Sequence, residues 1–320
     1  MTTMDGKGTA DLLERGRIGS AKNGTGVSRK ADGKWPSECE LCGKGKLEVA
    51  FTLPAFDGPY ANETEETLRS FLKCEKCGFL SVEPFDEEVY WTYYTQLNGG
   101  YHCLHNLDTT RNRTIADMLR RTEIRRVLDF GCGTGEFLSL LPPRVVKYGI
   151  ELSDAAKQVA RERGIKILQE KDLDDDAFSH SFDVVTAIDV VEHIKDLHEW
   201  RRKIAAVLKP GGYFIFMTGN LDSWAARTLG RYWYYLHFAE HVSFLSETAT
   251  RMWLESEFDA VQIELVTHHE FGGVDLVKCI VKFCVAWTLQ IFGMASRFRI
   301  SSSFPATSDH MLVRARRRSS

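Results

Sequence analysis

Three groups of residues in this chain have types and spacings that can do chemistry. The first lies in "VLDFGCGTGEF", where an apolar run breaks into Gly131, Gly133 and Gly135 and recovers as an apolar helix from Glu136. Strand, glycine turn and helix, in that order, make the ligand cradle of doubly wound α/β folds. Here the spacing is G-x-G-x-G, and Glu136 stands where the third glycine of the dinucleotide fingerprint belongs. A carboxylate there repels a pyrophosphate at a helix N-terminus, so the turn suits a ligand that is not anionic at that point. Glu151 follows Asp129 by 22 positions and ends the next strand-like run. A carboxylate at that place can accept both hydroxyl protons of a ribose.

The second group is "CELC" (Cys39, Cys42) and "CEKC" (Cys74, Cys77), each followed by a glycine, Gly43 and Gly78. Paired thiolates two residues apart on a glycine turn supply two edges of a tetrahedron, and two such knuckles close a four-thiolate zinc site. With all four positions held by thiolates no place is left for a metal-bound water, so the zinc is expected to be structural. The bland alternative is four unconnected buried thiols. The gap between the pairs is longer than a usual ribbon allows, which predicts an inserted hairpin or loop formed by "LEVAFTLP" and the acidic "NETEET". The third group is a pair of Glu-His dipeptides, His193 in "VVEHIKD" and His241 beside Glu240 in "FAEHVSFLS".

The elements that must position these groups alternate from residue 125 onward. "RRVLDF", "VVKYGIEL", "IKILQE", "FDVVTAID" and "YFIFMTG" read as strands, the fourth a β-branched run of the kind buried on both faces of a parallel sheet. Between them lie "SDAAKQVARERG", with an N-cap Ser153 and terminal Gly164, and "HIKDLHEWRRKIAAVL", which stops at Lys209-Pro210-Gly211-Gly212. A segment over 220–245 breaks the rhythm; a helix from Ser246, a strand "AVQIELVTHH" and a closing strand "HMLVRARR" follow. The fold class is α/β, doubly wound. Hydrophobic residues at 43% and charged residues at 27% allow a sizeable core, and a net charge of -3 gives no global reason to expect nucleic acid. The acidic knuckle region argues against an RNA grip as well. Residues 1–35 are rich in Gly, Lys, Ser and Asp and read as a disordered tail without the apolar run of a secretory signal. The domain plan is therefore tail 1–35, zinc module 36–90 and main domain 91–320.

"VLDFGCGTGEF", "YGIELS", "FDVVTAIDVVEHIKD" and "LKPGGYFIFMTGN", in that order, resemble the successive motifs of class I S-adenosylmethionine (SAM) dependent methyltransferases over about residues 90–317. The resemblance implies a seven-stranded, Rossmann-like sheet with an antiparallel last strand. It implies a SAM site in which Gly131, Gly133 and Gly135 admit the methionyl part, while Asp129 and Glu136 face its cationic groups and Glu151 holds the ribose. Leu152 is then expected on the adenine, Asp172 at its amino group, and Ile188 and Asp189 at the sulfonium side. The cysteine arm followed by "YWTYYTQLNGGYH" is similar to the zinc-ribbon subgroup that methylates nucleotide-linked sugars or glycan precursors. In that subgroup such Glu-His pairs serve as acid, base and substrate contacts, which assigns His241, His193 and Glu240; a tyrosine of the subgroup is replaced here by Phe238. Against those roles, a Glu-His after the fourth strand can simply cap the next helix.

The expected activity is O- or C-methylation of a small-molecule sugar nucleotide or glycan precursor. A ubiquinone-type O-methyltransferase acting on a lipidic phenol at a membrane is the alternative, and a zinc-ribbon nucleic-acid binder is a third, disfavoured one. The aromatic run Arg231 to Phe238 walls an acceptor pocket or packs a lid over 220–245, and Tyr93, Tyr94 and Tyr101 fold over the cofactor or join the domains. An insertion over 270–305 contains an uncharged stretch of 14 residues, Phe283 to Ser296, too short to span a bilayer. It is a core or dimer helix, or it lies on a membrane surface through 276–299. Eight cysteines, four of them in two C-x-x-C pairs, suggest a reducing compartment, the cytoplasm, with peripheral membrane contact left open.

Overall fold

The computed structural model describes residues 36–54, 68–83, 85, 109–120, 122–238, 240–266 and 309–319, with the helical positions 281, 284 and 288. The tail 1–35, the tyrosines Tyr93, Tyr94 and Tyr101, and all but those three positions of 270–305 lie outside the described residues.

Three strands accompany the cysteine pairs. β1 (Leu47–Pro54) runs antiparallel to β2 (Leu68–Cys74), which runs antiparallel to β3 (Leu80–Glu83). "LEVAFTLP" is thus one arm of a hairpin, and the second cysteine pair sits on the turn from β2 to β3. α1 (Thr109–Arg120) then leads into β4 (Arg126–Phe130), the glycine turn and the short α2 (Glu136–Ser139). β5 (Val146–Ile150), α3 (Asp154–Glu162), β6 (Lys166–Leu168), β7 (Phe182–Ile188), α4 (Leu197–Val207) and β8 (Leu208–Gly219) continue the alternation. After α5 (Trp224–Leu229) and β9 (Ser243–Phe244) come α6 (Glu247–Leu254), β10 (Phe258–Val266) and β11 (His310–Arg317).

Seven strands form one sheet in the order β10-β11-β8-β7-β4-β5-β6, parallel except for β11, which is antiparallel to both β8 and β10. The seven-stranded Rossmann-like sheet with its antiparallel last strand is the one expected from the sequence. The order reverses between β4 and β7, and the crevice at their C-terminal ends is where such sheets bind ligands. β7 is nearly continuous Phe182-Asp-Val-Val-Thr-Ala-Ile because its middle is covered on both faces, with Val184, Val185 and Ala187 fully buried. Helix caps read from sequence are in place: Ser153 and Ser246 accept from the third residues of α3 and α6, each such cap contributing about 1 kcal/mol. α4 starts later than its sequence pattern suggests. Val191–His193 is a separate 3-10 turn, and Asp196, not the Glu-His pair, caps α4 through Glu199 N–H.

The 220–245 segment is packed more deeply than a loop lid would be. Trp233, Tyr234, Tyr235, Leu236 and Phe244 share a buried cluster with Leu53, Phe71, Leu80 and Val82 of the cysteine module. β9 within it pairs antiparallel with β3, giving the module's sheet its fourth strand. The aromatic run is therefore mostly core, with Phe238 38% and Trp224 54% exposed at its margins. No helix among the described residues is long and apolar enough to cross a membrane.

Candidate functional site

The glycine turn springs from the buried end of β4 because Asp129 and Phe130 lie in the sheet and Gly131, Gly133 and Gly135 all have positive φ. At Gly133 (φ +53°) a side chain would meet nothing within 4 Å, so the turn offers bare backbone to whatever approaches. Gly135 (φ +83°) is needed for packing instead, since a Cβ there would stand 2.0 Å from Ile165 Cδ1. The carboxylate of Glu151 ties this turn to the end of β5. It accepts Gly133 N–H at 2.9 Å on one oxygen, and Leu152 and Ser153 N–H at 2.7 and 2.8 Å on the other. Three of roughly four lone-pair sites of this group are thus engaged by backbone. That leaves less capacity for a bidentate ribose grip than the sequence suggests, and the first role of Glu151 is to shape the cradle.

Asp129 is 3% exposed and accepts from Thr186 Oγ1 at 2.6 Å. Burial pushes its carboxyl up to about 7; the Thr186 bond opposes this and nearby Glu151 adds to it. Glu136 Oε2 is buried without a hydrogen-bond partner. Two acids in this state favour a ligand that brings positive charge. Leu152, at 38% exposure, presents an apolar side chain beside Glu151. Asp172 sits in the 3-10 turn Glu170–Asp174 and spends one oxygen on Gln169 N–H at 2.7 Å. Ile188 ends β7 half-buried, and Asp189 beyond it holds φ +54° while pairing with Arg111 of α1 at 2.5 Å. Left-handed backbone in a non-glycine residue costs of order 1 kcal/mol or more and persists where its surroundings impose it. Here Asp189 N–H bonds Met217 O at 3.0 Å and its carboxylate faces Arg111.

On the segments that follow β7 and β8 the structure brings His193 and His241 together, with ring centroids 4.9 Å apart at 73°. His193 Nδ1 lies 3.0 Å from the Glu240 carbonyl and His241 Nδ1 lies 2.9 Å from the Tyr235 carbonyl. A carbonyl only accepts, so in each neutral ring Nδ1 carries the proton and Nε2 keeps its lone pair. Burial holds the His241 pKa well below its ordinary value, and His193 and Arg69 add to the effect. His241 is therefore neutral near pH 7, and the same burial disfavours its protonated form. The carboxylate nearest both rings among these residues is that of Glu192, while the backbone carbonyl of Glu240 is the group that meets His193 Nδ1. Glu192 is 1% exposed, accepts from Thr218 Oγ1 at 2.9 Å and is hydrogen-bonded to the Tyr235 hydroxyl. Burial raises its pKa. One ligand atom from each of Glu192, His193 and His241 lies within 4.8 Å of the others, so this trio can share a proton or hold a divalent cation. Sequence reasoning gave no role to Thr218 or Arg111, and reached Glu192 and Tyr235 only as members of a Glu-His dipeptide and of the aromatic run Arg231 to Phe238.

At the knuckles, Cys39, Cys42, Cys74 and Cys77 bring their sulfurs within 4.8 Å of one another. Cys39–Cys77 and Cys42–Cys74 are each 3.7 Å apart. Four sulfurs around one zinc with bonds near 2.3 Å stand about 3.8 Å apart, so the spacing fits a tetrahedral ion. Lys76 and Cys77 N–H point at Cys74 Sγ and oppose the burial that raises its pKa, while the Cys77 thiol beside Cys39 holds the latter's pKa down at about 5.

A family model described as a methyltransferase domain matches residues 103–263, half of the chain. Among curated proteins, the chain is 35% identical over 127 residues to a ubiquinone biosynthesis O-methyltransferase of Alkalilimnicola ehrlichii, covering 37% of this chain and 51% of that one. It is 29% identical over 153 residues to the enzyme of the same name from Escherichia coli, covering 45% and 64%. The chain thus spans between about half and just under two thirds of the length of these relatives. Among solved structures, a SAM-dependent methyltransferase from Archaeoglobus fulgidus aligns with TM-score 0.46 at 18% identity, covering 70% of this chain and 99% of that one.

Proposed function

Because the chain belongs to the methyltransferase-domain family, we propose that it transfers the methyl group of SAM to a hydroxyl of a small-molecule acceptor, a phenol of the quinone-precursor type. The features that support this are a cradle poised for positive charge where the chain leaves β4, and two adjoining imidazoles on the segments that leave β7 and β8 of the same sheet. SAM fits the cradle on two counts. Its cationic groups answer Asp129 and the partnerless Glu136 Oε2, and the open backbone at Gly133 admits its methionyl part. Bound there, it supplies an activated methyl on a sulfonium. Asp129 and Glu136 are assigned to the cationic groups, Gly131, Gly133 and Gly135 to the backbone wall, and Arg111 beside Asp189 to the carboxylate. Glu151 shapes the turn and offers its remaining acceptor capacity to the ribose. Leu152 covers the adenine, Asp172 lies at its amino edge, and Ile188 and Asp189 border the reacting side.

Alignment of acceptor and methyl can supply most of the rate in such a displacement. The acceptor hydroxyl must still lose its proton as the new O–C bond forms. His241 takes that proton on Nε2, its Nδ1–H held by the Tyr235 carbonyl. His193 stands 4.9 Å away, centroid to centroid, as a second polar contact, and buried Glu192 offsets the imidazolium charge behind both. The phenol assignment is supported by the names of the curated relatives. A nucleotide-linked sugar is the second candidate, and the four-thiolate module supports it. That module is assigned one structural zinc, with no coordination place left for chemistry. Radiolabelled methyl transfer from SAM, offered a prenylated catechol and a panel of nucleotide sugars, tests both. Product from the catechol alone is expected, product from sugars alone replaces the phenol by the sugar, and no SAM binding by calorimetry removes the activity altogether.

A further inference from the structure

The strands that leave the second knuckle end on the loop that carries His241. Arg69 lies on β2, five residues before Cys74, and is 4% exposed. Its guanidinium donates to the carbonyl of Phe238 at 2.9 Å and to the carbonyl of His241. Those two carbonyls mark the ends of a turn that is itself closed by His241 N–H to Phe238 O at 3.1 Å. From β3, Val82 N–H donates to the Val242 carbonyl at 3.1 Å, and Ser81 is the register partner of Ser243. The opposite side of the same loop is bound to the 3-10 turn of His193. Val242 N–H reaches Glu192 O at 2.8 Å and Ser243 Oγ reaches Ile194 O at 2.6 Å. The His241 segment is thus held between the cysteine module and the turn that carries the other histidine.

Arg69 is suited to this grip. A guanidinium is a rigid planar fork that engages two acceptors at once, and its charge-assisted bonds are roughly twice as strong as neutral ones. A lysine is a point charge without that fork. The glycine cradle takes its bonds elsewhere, from Glu151 and the end of β5. We propose that Arg69 is a positioning residue for methyl transfer, through which the cysteine module sets the place of the His241 imidazole. This rests on the assignment of His241 as the base. A displacement of about 1 Å in such a group costs about a hundredfold in rate, so a module without chemistry of its own can govern turnover.

The test compares Arg69→Met, Arg69→Lys, His241→Ala and the Arg69→Met/His241→Ala double variant in the full chain, with SAM and a prenylated catechol. For Arg69→Met the expected result is retained zinc and SAM affinity with kcat about 10–100-fold lower, partly restored in Arg69→Lys. Histidine 15N spectra, which need no acceptor, should show the Nδ1–H tautomer of His241 giving way to a mixture. In the His241→Ala background Arg69→Met should cost nothing further. Native kcat in Arg69→Met, or the same fold-loss with and without His241, overturns the proposal. Full turnover in His241→Ala overturns the base assignment itself, and is told apart because that measurement leaves Arg69 untouched. If Arg69→Met does not fold, Arg69→Lys carries the same comparison, with the tautomer spectrum as its readout.

Discussion

Replacing Asp129 with asparagine separates the charge of the cradle from its shape. The carboxyl ends β4 at 3% exposure and accepts a 2.6 Å bond from Thr186, a bond that an asparagine oxygen can also accept. Burial carries its pKa from 3.8 to about 7 in the folded protein. A folded pKa above the unfolded one means that the native state holds the extra proton. The stability so gained is complete below about pH 4 and is lost as pH climbs through about 7. A span of about three units corresponds to about 4 kcal/mol at 1.36 kcal/mol per unit. Asparagine does not titrate, so ligand-free Asp129→Asn should exceed the parent by only about 1 kcal/mol at pH 4.5 and by up to about 4 kcal/mol at pH 8. For a chain of this size that is roughly 6 °C in Tm. Differential scanning calorimetry at the two pH values reads the difference directly. Saturating SAM should then reverse the order at pH 8, because only the parent offers a carboxylate to the ligand's cationic groups. A Tm difference between parent and variant that is the same at pH 4.5 and pH 8 would refute the assignment of a proton to buried Asp129.

Other expectations follow from the same geometry. Glu151→Ala should weaken SAM binding by about 1–3 kcal/mol in titration calorimetry, through loss of the bonds that close the glycine turn as much as through any ribose contact. Cys74→Ser should lower zinc content from about one per chain toward zero and loosen the β2–β3 sheet, seen as faster amide exchange; four freely titratable thiols in the parent would refute the site. His241→Ala should lower kcat by about 10²–10⁴ with SAM affinity unchanged, and a dead His193→Ala beside a near-native His241→Ala would exchange their roles.

Much of this protein is written in local sequence. Glycines at 131, 133 and 135 must be read as a turn because the apolar periods on either side differ. The β-branched run of β7 and the capping serines at 153 and 246 place their elements for equally local reasons. The C-x-x-C-G pairs likewise specify knuckles before any partner is known, although only the fold brings the two pairs to 3.7 Å. Tertiary structure alone decided which carboxylate faces the imidazoles. Glu192 and Glu240 are each neighbours of a histidine in sequence, and the fold brings the carboxylate of the first within 4.8 Å of both imidazoles and the carbonyl of the second to 3.0 Å from His193 Nδ1. It also decided that the aromatic segment over 220–245 is core, since its apolar partners Leu53, Phe71, Leu80 and Val82 lie far back in the chain. Arg69 to His241 and Arg111 to Asp189 are pairings across 172 and 78 residues. No periodicity encodes such contacts: they exist because burial of two separate apolar surfaces brings their polar margins together, where each charged group must then find a partner.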